Sequence, residues 1–172
     1  GSRNTFVGAG AAPSNTNGSY NTIVGGRGSD NYNAFNNNTS GGNNTGFGAQ
    51  VLARNTTGSE NTAVGLGALY NNTTSSSNTA VGRGSGSTIT TGAKNTILGR
   101  YDGNQGGLDI RTSSNNIVLS DGDGNPRVIV NSSGNVGIGT SSPAGIMQLR
   151  ATNPDFYITS DNTGQSDIYF GG

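Results

Sequence analysis

The sequence contains no cysteine, histidine or tryptophan, and only 6% of its residues are aromatic. Without cysteine there is no disulfide framework and no zinc–thiolate site to hold a fold together. Without histidine the commonest general base and the commonest metal ligand are also missing. Acid–base chemistry would fall to Glu60 and eight aspartates. Glycoside hydrolysis needs two carboxylates flanking a cleft, and no such pair is marked out by the spacing. Charge is sparse and balanced, with nine basic and nine acidic residues, which removes the electrostatic case for nucleic acid or an anionic membrane surface. No apolar run approaches the roughly 20 residues that span a bilayer. These absences predict a chain that is not an enzyme, carries no cofactor, binds no nucleic acid and inserts into no membrane. Gly1-Ser2 reads as a remnant of cloning and is set aside.

Apolar residues are scarce as well. They make up 29% of the chain, whereas 31 residues are glycine, and most of the remainder is Asn, Ser and Thr. A single globular core is hard to build from that composition. Disordered chains usually combine low hydrophobicity with high net charge, and here the net charge is zero. Valine and isoleucine also recur at fixed spacings, which predicts order.

What is present is a repeat, N-T-x-[hydrophobic]-G, starting at Asn4, Asn21, Asn44, Asn61, Asn78 and Asn95, with a degenerate copy read at Asn115. The intervals are 17, 23, 17, 17, 17 and 20 residues. The 23 is a 17 with six residues inserted around Asp30–Asn36. Gly, Asn, Ser and Thr form helices poorly, and the recurring apolar residues are mostly β-branched. A 17-residue unit of short strands and tight corners fits one coil of a β-solenoid. Coils stack about 4.8 Å apart through ladder hydrogen bonds, so six intervals make a rod section roughly 29 Å long.

Each repeat position carries a physical expectation. Gly8, Gly25, Gly48, Gly65, Gly82 and Gly99 predict a corner with positive φ or a close backbone approach. Gly18, Gly41, Gly58 and Gly92, with Ser75 as the exception, predict a second corner. The asparagines, Asn21, Asn61, Asn78 and Asn95 among them, tolerate left-handed backbone and are expected to stack into an Asn ladder. Glycan binding by the Asn-Thr rows is the weaker alternative. Two adjacent rows are apolar. One is uniformly large: Val7, Val24, Phe47, Val64, Val81, Leu98 and Val118. The other varies in size: Phe6, Ile23, Gly46, Ala63, Ala80, Ile97 and Ile117. Adjacent strand residues point to opposite faces, so two apolar rows imply a second buried surface, supplied by another copy of the chain. We assign the uniform row (Val24, Val64, Val81, Leu98) to the coil interior and the variable row (Ile23, Ala63, Ala80, Ile97) to contacts between chains.

After residue 108 the composition shifts to short apolar runs separated by turn signals. The runs are Ile117–Leu119, Val128–Val130, Val136–Ile138, Ile146–Leu149, Phe156–Ile158 and Ile168–Phe170. Residues 1–108 therefore read as a repetitive shaft and 109–172 as a hairpin-rich neck or stalk. Asp121, Asp123 and Asn125 look like the opening of a calcium loop. The closing bidentate Glu is missing from that segment, so a polar hairpin turn is the favoured reading.

The segment Asn55–Asn78, NTTGSENTAVGLGALYNNTTSSSN, resembles the 17-residue repeats of phage tail fibres. It is similar, less closely, to the head repeats of trimeric autotransporter adhesins, which form left-handed parallel β-rolls. Asn131–Pro143, NSSGNVGIGTSSP, resembles the segment that precedes a self-cleaving intramolecular chaperone domain in such fibres. The resemblance implies an all-β chain, with a trimeric β-solenoid shaft followed by short intertwined strands and hairpins. It also implies a homotrimer on a virion, acting outside the cell, with a bacterial surface receptor, a glycan among the candidates, as partner. Two alternatives stand beside it. One is an ice-binding solenoid, weakened because one Thr per coil (Thr5, Thr22, Thr45, Thr62, Thr79, Thr96) lies beside bulky Phe6, Ile23 and Ile97. The other is a fragment of a tailspike-type polysaccharide depolymerase.

Overall fold

A computed structural model describes residues 1–152. The expected runs Phe156–Ile158 and Ile168–Phe170 lie outside the described residues. Within them the chain is all-β and has no helix. Six three-residue strands form at the repeat: β1 (Thr5–Val7), β2 (Thr22–Val24), β3 (Thr45–Phe47), β4 (Thr62–Val64), β5 (Thr79–Val81) and β6 (Thr96–Leu98). They stack in parallel, each Thr opposite the next Thr. A small antiparallel pair follows, β7 (Asn104–Gln105) with β8 (Leu108–Asp109). The stack then continues through β9 (Ile117–Ser120), parallel to β6. Beyond it come β10 (Pro126–Val130), β11 (Val136–Ile138) and β12 (Met147–Leu149). The order β1–β6, β9, β10, β11, β12 makes one continuous sheet of ten strands. β10 is antiparallel to both β9 and β11, and β12 is parallel to β11. The parallel stack thus runs past the compositional break at residue 108, and the hairpin region extends the same sheet.

The register moves one expected boundary. Thr96 pairs with Ile117 and Ile97 with Val118, so the degenerate repeat begins at Asn116, not Asn115. A slip of one residue exchanges the two faces of a strand. Val118 therefore belongs to the inner row, while Ile117 and Leu119 are exposed.

The asparagines explain why the coils stack in register. The backbone N–H of Asn21, Asn44, Asn61, Asn78, Asn95 and Asn116 donates to the side-chain Oδ1 of the Asn one coil earlier, at 2.9–3.0 Å. From Asn21 to Asn95 each side-chain Nδ2 reaches a backbone carbonyl one coil later, as from Asn44 to Gly58 at 3.0 Å, whereas Asn116 donates to Ser114 in its own coil. The expected Asn ladder is present, and these side chains are buried. A second ladder was not foreseen. Asn38, Asn55 and Asn72 each donate through Nδ2 to Oδ1 of the previous Asn in the row, at 2.6, 2.8 and 2.8 Å. The same amides also donate to the carbonyl three residues on. Its signal was legible as N-x-x-G at Asn15, Asn38 and Asn55, with Ser75 in place of Gly after Asn72. Among the described residues no buried side-chain polar atom lacks a partner. That matters because an orphaned buried amide costs about 1–3 kcal/mol.

The first glycine row is left-handed as the repeat predicts, except at Gly25, where close approach to the Gly48 carbonyl oxygen is the constraint. Gly8, Gly48, Gly65, Gly82 and Gly99 do have positive φ, but Gly18, Gly41, Gly58 and Gly92 do not. The second glycine row is instead required by close approach. A Cβ on Gly58 would lie 2.3 Å from the Ser75 carbonyl oxygen and 2.4 Å from Asn55 Oδ1. The ladder asparagines are not left-handed either. The residue before each of them is: Arg3, Tyr20, Asn43, Glu60, Ser77, Lys94 and Asn115. A further left-handed corner falls on Ala12, Phe35, Leu52, Leu69 and Gly86. This corner turns apolar side chains inward, and Phe35, Leu52 and Leu69 are fully buried.

Gly65 and Gly67 separate the two roles of glycine. Both have positive φ, 124° and 66°. A Cβ on Gly65 would sit 2.5 Å from the Gly82 carbonyl oxygen, while one on Gly67 meets nothing within 4 Å. Gly67→Ala is expected to cost only the left-handed strain, about 1–2 kcal/mol. Gly65→Ala must also push two coils apart and should lower the melting temperature much further. Equal melting temperatures for the two variants would show that coil approach is not the constraint.

Candidate functional site: the outer face of the sheet

Each repeat strand has one residue facing in and two facing out. The inward residue is the middle one. Ile23, Ala63, Ala80, Ile97 and Val118 are all buried, whereas Phe47 is 59% and Leu98 43% exposed. The assignment of the two rows made from the sequence is therefore reversed. The variable row fills the coil, and the uniform row lies outside, with Val24 and Val64 half-buried and Val81 exposed.

The physical reason lies in the narrow coil. Inner residues must complement whatever opposes them, so their sizes vary. A Cβ on Gly46 would lie 2.7 Å from Val51 Cγ2 and 2.9 Å from Ile23 Cδ1. Gly46 is small because neighbours already occupy the space. The outer row has no opposing wall in its own coil and is free to be uniform.

That outer row continues beyond the repeat. Pairing through the sheet aligns Val7, Val24, Phe47, Val64, Val81, Leu98 and Leu119, then Val128, Ile138 and Leu149. The result is an unbroken apolar stripe across ten strands, roughly 43 Å long at ladder spacing. Beside it runs a second outward row of threonines, Thr5 to Thr96, which becomes apolar at Ile117, Val130, Val136 and Met147. Isolated exposed apolar residues are ordinary, but a contiguous stripe marks an interaction surface. The repeat made its first six positions visible, while the last four depend on parallel and antiparallel pairings that spacing does not reveal.

The remaining sequence candidates have structural roles. Asn21, Asn61, Asn78 and Asn95 are ladder residues. Gly25, Gly65, Gly82 and Gly99 lie where a Cβ would collide with the next coil's carbonyl oxygen, at 2.0, 2.5, 2.1 and 2.3 Å. Asp121, Asp123 and Asn125 form the turn between β9 and β10, as the hairpin reading expects. The Asp121 carboxylate accepts the backbone N–H of Asp123 at 3.0 Å and of Asn125 at 2.9 Å. It also pairs with Arg127. Its oxygens are turned toward the turn itself, and no group of three or more metal-ligating side chains occurs among the described residues. No helix among them is long and apolar enough to cross a membrane.

These features define the chain as a β-solenoid with a hairpin extension and one apolar outer face. Comparison with family models, with curated proteins and with solved structures finds no match.

The Asp121 turn should be acid-sensitive. The Asn125 N–H, then the Asn125 side chain and Arg127, hold its carboxyl well below the usual 3.8. The charged form is favoured in the folded state, so its contribution is complete above 3.8 and is lost as pH falls toward the folded value. Hydrogen-exchange protection of the Asp123 and Asn125 amides is expected at about pH 5 and should fall as the carboxyl protonates. Asp121→Ala should abolish that protection throughout. Protection that persists in the variant would contradict this account.

Proposed function

We propose that the chain is a structural segment of a phage tail fibre that assembles as a parallel homotrimer and contributes to host attachment outside the cell. The observation that carries self-association is the apolar stripe from Val7 to Leu149. Its residues recur at the coil spacing and in one register. A surface built of stacked coils matches that pitch over ten strands, and another copy of this chain is such a surface. The number three, the virion and the bacterial receptor rest on the resemblance of the 17-residue repeat and of Asn131–Pro143 to tail fibres. Backbone ladders, two Asn ladders and a covered outer face together explain how a chain with so few apolar residues can act as a rod under load.

One observation favours a second reading, ice binding. Phe6, Ile23 and Ile97 point inward, so they do not interrupt the Thr row. The outer face is a regular array of Thr and apolar residues. The two readings need the same face in opposite states, covered by another chain or open to water.

Light scattering should show a stable oligomer for the unmodified protein, and Val81→Asp should reduce it to folded monomers by placing a charge on the stripe. Ala63→Asp should instead prevent folding, because an unpaired carboxylate in the coil interior costs several kcal/mol. A monomeric unmodified protein, or full assembly of the Val81 variant, would overturn the fibre reading. Thermal hysteresis in a dilute sample would establish the ice-binding one.

A further inference from the structure

The sequence departs from its 17-residue period in three places, and all three deliver side chains to one groove. The six-residue insertion brings Asp30. The β7–β8 pair and the segment leading into it bring Gln105 and Asp102. The β9–β10 turn brings Asp123. Between them, Arg83 and Arg100 rise from the coil surface, each one residue past the glycine that ends its strand. The groove has a volume of about 590 Å³. It runs from Gln50, past β3, to Asp123, past β9, four coil steps or roughly 19 Å. It lies around the corner from the apolar stripe.

The groove is braced rather than loose. Asp30 accepts a hydrogen bond from the Tyr70 hydroxyl at 2.6 Å and another from Gln50. Tyr70 packs edge-on against Tyr32 of the insertion, and the Arg54 guanidinium lies over both rings at 5.3 and 5.4 Å. At the other end Gln105 donates to the Asp123 carbonyl at 2.8 Å, tying the β7–β8 pair to the turn. Of the other charged groups facing the space, Asp102 accepts the Asn104 backbone N–H through Oδ1 at 2.8 Å and keeps its second oxygen for a ligand. Neither ion pair among the described residues involves Arg83, Arg100, Asp102 or Asp123. The two arginines sit on consecutive coils and are exposed.

The chemistry narrows the ligand. The lining is mainly planar polar side chains, which disfavours a lipid or another apolar ligand. Three carboxylates (Asp30, Asp102, Asp123) against two guanidiniums (Arg83, Arg100) leave one negative charge in excess, which disfavours a polyanion. Guanidinium and carboxylate forks hydrogen-bond two neighbouring hydroxyls at once, donating and accepting respectively. We infer that this groove binds a short run of an uncharged, hydroxyl-rich saccharide chain, with Arg83, Arg100 and Asp102 as its principal contacts. The inference rests on the attachment reading and gives it a place on the molecule.

The test is a panel of uncharged oligosaccharides (glucans, mannans, galactans and N-acetylglucosamine polymers) beside acidic polygalacturonate. Binding of the full assembled chain is measured at physiological salt. At least one uncharged glycan should bind, and the Arg83→Ala/Arg100→Ala double variant should lose about tenfold or more in affinity, as expected for charge-assisted hydrogen bonds. Light scattering should show the same oligomer for both proteins, which separates loss of the site from loss of assembly. No binding to any uncharged glycan, binding equal in the variant, or binding only to polygalacturonate that fades with salt would each overturn the assignment. The fibre reading would survive any of these results, because it is decided by assembly.

Discussion

The rest of the structure depends on the hydrogen bond from the backbone N–H of one asparagine to the side chain of the asparagine one coil before. Repeated from Asn21 to Asn116, it locks every coil to the same height and rotation. A buried amide must satisfy both its oxygen and its nitrogen, and here each does so only if the neighbouring coil presents an identical group at ladder spacing. This is why four intervals are 17 residues and why extra residues must loop outward. The second row, Asn15 to Asn72, imposes the same condition on the opposite corner. Where Ile89 replaces the next Asn, that row ends and the chain soon leaves the simple repeat for the β7–β8 pair.

With height and register fixed by polar ladders, the apolar residues are relieved of specifying the fold alone. Inside each coil they only have to fit. Gly46, Ala63 and Ala80 occupy the inner row where Val51, Leu52 and Leu69 are also buried, and Ile97 and Val118 occupy its later positions. Outside, a uniform row of branched and aromatic side chains is left on the sheet face. Its uniformity is understandable if what covers it is itself periodic, which is the basis for proposing a second copy of the chain there. The insertion and the β7–β8 pair lie off that face. They bring charge and planar polar groups to a surface that the repeat alone would leave uniform.

Much of this was legible in the residues. The period, the position of each repeat strand, the Asn ladder, the close glycine contacts and the hairpin at Asp121 all follow from which residue types recur and how far apart. What misled was the assumption that the more strongly apolar row lies inside. In a three-residue strand the middle side chain is the inward one, so Ala63 is buried and Val64 is not. The one-residue slip between Asn115 and Asn116 arose because both are asparagine, and the pairing of Ile97 with Val118 and the ladder bond from Asn116 to Asn95 distinguish them.

The sequence by itself determined the repeat, the stacked β-architecture and the polar ladders, because these depend on local residue chemistry repeated at fixed distance. Only the tertiary structure decided which row faces outward, that the stripe continues through Val128, Ile138 and Leu149, and that three separate irregularities meet in one groove. Those outcomes depend on how corners rotate the chain about the coil axis and on pairings between segments far apart in sequence. Spacing along the chain records neither.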